Sequence, residues 1–174
     1  MSAIALATRA ARLDDAAVIA GIYSEGIEDR LATFETQPRT AADVTAWFDG
    51  RHPIVVVEVG GAIIGFAATF TYRPRACYDG VAEFSVYVAR SERGHGVGRA
   101  AMLALIAAAP EAGLWKLVSR VFPENEASLR LLRGLGFREV GTYECHGRLD
   151  GRWRDVVIVE KLLPAVFEDS PPGA

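Results

Sequence analysis

The chain has 174 residues, 51% hydrophobic and 24% charged, with a net charge of −3 and a pI near 5.6. That is the balance of an ordinary folded domain, and it excludes wholesale disorder and a strongly basic nucleic-acid footprint. The two cysteines, Cys77 and Cys145, stand in no CxxC or CxH pair, so no metal site is expected.

Taken in chain order, residues 4–9 alternate and read as a short strand. Asp14 and Asp15 open an amphipathic helix to about Ile27, with Val18, Ile19, Ile22, Tyr23 and Ile27 at helical spacing. Residues 28–39 are irregular and carry Thr33-Phe34-Glu35-Thr36. Thr40 is a fair N-cap for a short helix ending near Gly50. Pro53 leads into IVVVEV, Gly60-Gly61 and AIIGFAATF, a hairpin whose register the Gly-Gly turn leaves open. A loop with Arg73, Arg75, Cys77 and Tyr78 precedes the strand VAEFSVYVA at 81–89. The turn RGHGVG at 93–98 then opens an apolar helix expected to end before Pro110, too short to span a bilayer. A strand at 115–121, a helix from Glu124 to Leu135 closed by Gly136, and two last strands complete the domain. The tail from Pro164 is expected to be disordered. Arg9, Arg12, Asp14 and Asp15 interrupt any signal-like start, so the expectation is a cytoplasmic protein without membrane or nucleic-acid partners. The order of elements predicts one α/β or α+β domain over 1–163, with a parallel strand pair where helices connect strands.

Three pieces carry chemistry. The first is the turn Arg93-Gly94-His95-Gly96-Val97-Gly98 between strand and helix. Glycines permit close backbone approach, and free N–H groups at a helix start favour an anion such as phosphate. A tight turn without a ligand is the alternative. The second is Glu83. Alternation puts Glu83, Ser85 and Tyr87 on one face and Ala82, Phe84, Val86 and Val88 on the other. A carboxylate in an apolar strand is costly unless paired, exposed or functional. The third is Asn125-x-x-Ser128, which either caps a helix or contacts a ligand at its first turn.

The order of strand, R-x-x-G-x-G turn, helix, strand, N-x-x-S helix and Leu135-Gly136-Phe137 resembles the GNAT acyltransferases, which bind acetyl-coenzyme A. The resemblance implies a mixed twisted sheet of about six to seven strands flanked by about four helices. It implies that Arg93, Gly94, His95, Gly96, Val97 and Gly98 hold the pyrophosphate. It also implies that Val86, Tyr87 and Val88 pair with the pantetheine amides, and that Asn125 and Ser128 contact the same ligand. TFET at 33–36, RPRACY at 73–78, AEFSVYV at 82–88 and GRWRDV at 151–156 are similar to phosphinothricin acetyltransferases. LWKLVSRVFPEN at 114–125 and YECHGRLDGRWRDVVIVE at 143–160 resemble more closely the arsinothricin N-acetyltransferase branch. The implied reaction is acetylation of the α-amine of a small glutamate-like toxic amino acid, giving resistance.

Within that reading Glu83 is the expected base, because the ammonium must lose a proton before it attacks the thioester. Arg73, Arg75 and Tyr78 are the expected anion clamp, Phe34 and Trp153 the walls, and His146 a further donor or an ordinary strand-end residue. A homodimer is compatible with the apolar final strands. One departure stands out. The family often has Tyr or His seven residues after the motif asparagine, as acid to the departing thiol, and here that position is Leu132. Methionine sulfoximine, another small amine, a protein substrate, or a non-catalytic acyl-coenzyme A module remain alternatives at this level.

Overall fold

The computed structural model describes residues 5–163, so the expected tail at 164–174 lies outside the described residues. The strands are β1 (Ala7–Ala10), β2 (Ile54–Val59), β3 (Ala62–Thr71), β4 (Val81–Val88), β5 (Lys116–Val121), β6 (Arg138–Leu149) and β7 (Arg152–Leu162). The helices are α1 (Ala16–Glu28), α2 (Ala41–Thr45), α3 (Val97–Glu111) and α4 (Glu126–Gly134). One seven-stranded sheet runs β1-β2-β3-β4-β5-β7-β6. Every neighbouring pair is antiparallel except β4–β5, which is parallel. The hairpin register left open by the Gly-Gly turn is set with a bulge between Val57 and Glu58.

Side-chain bonds fix the approach to α1 and the start of α2. The Asp15 carboxylate accepts from the Arg12 amide and from the Arg9 guanidinium, both at 2.7 Å, and Arg9 also reaches Glu58 on β2. Thr40 and Asp43 form a reciprocal capping box at α2. This helix stops at Thr45 rather than near Gly50, because the chain tightens to three-residue bonds that turn Trp47 and Phe48 onto the core. By contrast α3 runs through Pro110. Pro110 sits in the last turn, where losing one amide donor interrupts little of the helix.

The sheet separates two apolar cores. On one face Ala82 and Phe84 pack with Met102 and Leu105 of α3 and Leu129 and Leu132 of α4. On the other, Ile19 and Ile22 of α1 and Val44 of α2 cover Val56, Phe66 and Ala68, with Tyr87 against them. A smaller cluster of Phe122, Leu149 and Val156 includes Phe34. Helix α1 lies close on β4 because Gly26 has no side chain; a Cβ there would meet the Tyr87 ring at 2.5 Å. The end of α1 is bound to the segment after β4 by Arg90 to Asp29 at 2.8 Å and Arg93 to Asp29 at 2.5 Å.

Gly26→Ala should therefore destabilise the fold by about 1–3 kcal/mol through overpacking, read from the urea midpoint. The Arg9 hydrogen bond holds the Asp15 carboxyl below its ordinary value of 3.8, despite opposing burial. The stability from Asp15 is present above that ordinary value and lost as pH falls through the lower folded value. Asp15→Asn should be less stable than wild type at pH 7, and the gap should narrow on acidification below 3.8.

Candidate active site

The site begins where a ladder ends. β4 and β5 pair at Val81–Lys116, Ala82–Leu117 and Glu83–Val118, and no further. Next along, the Ser119 hydroxyl donates to the Phe84 carbonyl at 2.9 Å. Beyond it the strands part and leave a cleft lined by Ser85, Val86, Ser119, Asn125, Ser128 and Leu132, among others. The β3 register, fixed by the Ala89 amide donating to the Ile64 carbonyl at 2.8 Å, sets the phase of β4. Odd-numbered residues spend their backbone groups on β3, and even-numbered ones turn theirs toward β5. The Val86 amide and carbonyl thus face the cleft, while the Val88 carbonyl accepts from Arg93 Nε at 3.2 Å. Tyr87 also lines the cleft, though it turns its amide and carbonyl away from it. Its backbone bonds to β3, and its ring packs between Phe66 and Tyr23 on the α1 face.

At the far end of the cleft the glycine-rich turn opens α3. Gly94 and Gly96 both hold φ of +83°, a region costly for other residues. Gly96 is the N-cap and brings no side chain to the helix start. The first intrahelical donor is the Ala100 amide, bonded to Gly96, so the Val97, Gly98 and Arg99 amides lack helix partners. A Cβ at Gly94 or Gly96 would meet open space. This row of amides without helix partners suits a pyrophosphate. The Arg93 side chain does not join it: the guanidinium is engaged by Asp29 and the Val88 carbonyl, as an anchor for α1. His95 is exposed on the turn. Asn125 caps α4, its Oδ1 accepting from the Ser128 amide at 3.2 Å, and both residues line the cleft.

Glu83 and Ser85 project to the opposite face from α3 and α4. The Glu83 carboxylate is hydrogen-bonded by Arg120 of β5, with side chains 30% and 44% exposed. Arg120 escaped the sequence reading; its signal was a lone arginine at the alternate position of an apolar strand. Ser85 lines the cleft and also an open cavity of about 550 Å³ beneath α1 and α2. That cavity is bounded by Tyr23, Trp47, Phe70 and the pair Glu35–Arg39, whose side chains meet at 2.6 Å. Glu35 and Arg39 were missed as well.

The other expected site residues lie farther out. Arg73 sits 5.3 Å from the Tyr72 ring centre, Tyr78 meets Tyr72 edge-on, and Arg75 is exposed; none lines the cleft or the cavity. Phe34 is packed edge-on against Phe122 at 4.9 Å and over Gly147, joining the 28–39 segment to the β6–β7 hairpin. Trp153 is exposed with Arg148 over its ring at 4.4 Å. His146 lies tilted against Tyr143, ring centres 4.8 Å apart, in a bulge of the edge strand β6, where Cys145 has φ of +47° and its amide donates to Asp155. Leu132 is buried, lines the cleft and offers no proton.

Comparison with known proteins agrees with this geometry. Residues 20–137 match the acetyltransferase (GNAT) family. The chain is 36% identical to a phosphinothricin N-acetyltransferase of Alcaligenes faecalis, over 92% of this chain and 84% of that protein. It is 34% identical to an L-methionine sulfoximine/L-methionine sulfone acetyltransferase of Pseudomonas aeruginosa, over 89% and 93% of the two chains. A GNAT phosphinothricin acetyltransferase from Sinorhizobium meliloti, solved with acetyl-coenzyme A, superposes with a TM-score of 0.84 at 29% identity, covering 91% of this chain and 88% of that one.

Replacing Gly96 by valine strains the turn at positive φ. It should raise the apparent KM for acetyl-coenzyme A about tenfold or more, the effect of roughly one charge-assisted bond lost, in a protein that still melts cooperatively. The measurement is initial rate against coenzyme concentration.

Proposed function

Because this chain belongs to the GNAT acetyltransferase family, we propose that it acetylates the α-amine of a small glutamate-like amino acid. The enzyme is an acyltransferase, and acetyl-coenzyme A is its co-substrate. The observation that carries the reading is the sequence of groups along β4. Glu83 and Ser85 stand on one face of the sheet, the Val86 amide opens into the gap, and the unpaired amides of the 93–98 turn lie beyond.

The co-substrate supplies an activated thioester, held by the 97–99 amides, Val86, Asn125 and Ser128. The acceptor arrives on the Glu83 face. Its ammonium takes the place of the Arg120 guanidinium on Glu83, since both are cationic N–H donors, and gives up a proton directly or through one water. The Val86 amide donates to the thioester oxygen as charge grows there. Holding both reactants across one gap supplies much of the acceleration. Leu132 leaves the sulfur without an acid. A thiol of ordinary pKa about 8.5 departs as thiolate far more readily than an amine would, so the reaction proceeds without one.

Relatives named for phosphinothricin and for methionine sulfoximine support an acceptor with a tetrahedral γ-group, and arsinothricin shares the tetrahedral, anionic γ-group of phosphinothricin. The 73–78 loop presents Arg73, Arg75 and Tyr78 just before β4, and we assign the γ-anion to it, with Trp153 and His146 at the periphery. Acetylation removes the amine's charge, the chemistry of toxin resistance. The exposed edge strand β6, with Val140 and Tyr143 at its surface, favours a homodimer, and the supply of acetyl-coenzyme A favours the cytoplasm.

Two measurements test this reading. Thiol release with acetyl-coenzyme A should be fast for phosphinothricin, arsinothricin or methionine sulfoximine and slow for a neutral amine; equal rates would assign another acceptor. Glu83→Gln should lower kcat by about 10²–10⁴-fold with the KM for acetyl-coenzyme A little changed, whereas near-normal turnover would remove Glu83 from the role of base.

A further inference from the structure

We propose that Arg39, presented beside Glu35 at the cavity beneath α1 and α2, reads the α-carboxylate of the acceptor and so makes the enzyme selective for α-amino acids over simple amines. The inference rests on the acceptor reading above and adds a subsite to it. Ser85 connects the two spaces, lining both the donor cleft and this cavity, one residue from the Val86 amide. An amine at Ser85 therefore has its own carboxylate within the cavity.

Arg39 is the only cation lining that cavity among the described residues. Its backbone is fixed: the amide donates to Ser24 Oγ at 3.0 Å, and Thr40, which follows, caps α2. Its guanidinium is held by the Glu35 carboxylate at 2.6 Å, with the two side chains 33% and 44% exposed. A carboxylate ligand is a like-for-like replacement for Glu35 on that planar donor fork, and the released Glu35, partly exposed, turns to solvent. Asp43, the other acid at the cavity, does not compete for Arg39, because its carboxylate accepts from the Thr40 amide and hydroxyl. The floor is aromatic. Trp47 meets Tyr23 and Phe70 edge-on at 5.5 and 5.2 Å, an apolar surface for the acceptor's carbon chain. The chain leaves this floor at Phe70 and enters the Arg73–Tyr78 loop. The two anions of the acceptor thus divide between Arg39 for the α-carboxylate and that loop for the γ-group.

The test compares wild type, Arg39→Gln and Arg39→Lys on phosphinothricin and on its α-carboxamide, at saturating acetyl-coenzyme A. Arg39→Gln should raise the KM for phosphinothricin about 10–150-fold, the range for one lost charged hydrogen bond, and leave the carboxamide's kcat/KM unchanged. Arg39→Lys should recover part of the loss. Equal losses on both compounds, or no loss on either, would overturn the proposal. Phosphinothricin is also titrated without coenzyme against Trp47 fluorescence, with Trp47→Phe as control. Quenching that Arg39→Gln abolishes, in a wild type that does not acetylate the ligand, would refute the function and uphold the site. A wild type that acetylates phosphinothricin with an Arg39-independent KM would do the reverse.

Discussion

The hydroxyl of Ser119 on the carbonyl of Phe84 is the contact on which the site depends. Up to Glu83–Val118 the two parallel strands share a ladder, and one residue later a side chain takes the acceptor that a backbone amide would otherwise use. β5 is then free to bend away toward Phe122 and the Asn125 cap of α4. Had the ladder continued, the Val86 amide would be consumed within the sheet. Backbone polar groups inside a protein need partners, so an open strand edge in mid-sheet is a standing cost unless solvent or a ligand meets it. The gap between β4 and β5 is that edge, bounded by the helix start at Gly96 and by Asn125.

A sheet with a gap also acts as a partition. The α3–α4 side is apolar down to Leu132, and the turn that opens α3 contributes backbone amides rather than charged side chains. The α1–α2 side carries the ion pairs Glu83–Arg120 and Glu35–Arg39 on either side of Ser85. An anionic, extended donor suits the first side and a zwitterion the second. The two meet only where β4 has lost its neighbour. The segment 28–39 that roofs the second side is bound at its start through Asp29 to Arg90 and Arg93, at its middle through Phe34 to Phe122, and at its end through the Arg39 amide to Ser24.

Features set by local period were legible in the sequence. The alternation of 81–88, the glycine-rich turn, the Thr40 cap and the Asn125 cap each depend on residues within a few positions of one another. What escaped depends on partners far along the chain. Arg120 meets Glu83 only through a parallel register that alternation cannot specify. Arg93 turns to Asp29 rather than toward an anion because α1 ends beside the turn, which its motif does not disclose. Phe34 reads as a wall of the site, and its contact with Phe122 becomes visible only in the fold. Tyr87 was placed on the correct face, but whether its backbone faces β3 or β5 is decided by the hairpin register. Glu35 and Arg39 sit at a helical spacing in a segment that is not helical, so their pairing carried no recognisable pattern.

The absence of an acid at Leu132 follows the same partition. A base on one face of the sheet and an acid on the other would have to exchange a proton through the gap that the reactants themselves fill. In the proposed reaction no such exchange is needed. The amine's proton goes to Glu83, whose side chain is 30% exposed beside an Arg120 that is 44% exposed, and passes from there to water on the acceptor side. The sulfur leaves as thiolate on the donor side and is protonated by solvent after release. Partial exposure of Glu83 leaves its carboxylate in contact with solvent. Here it provides the exit for the proton, and the buried leucine at 132 completes the core instead of the chemistry.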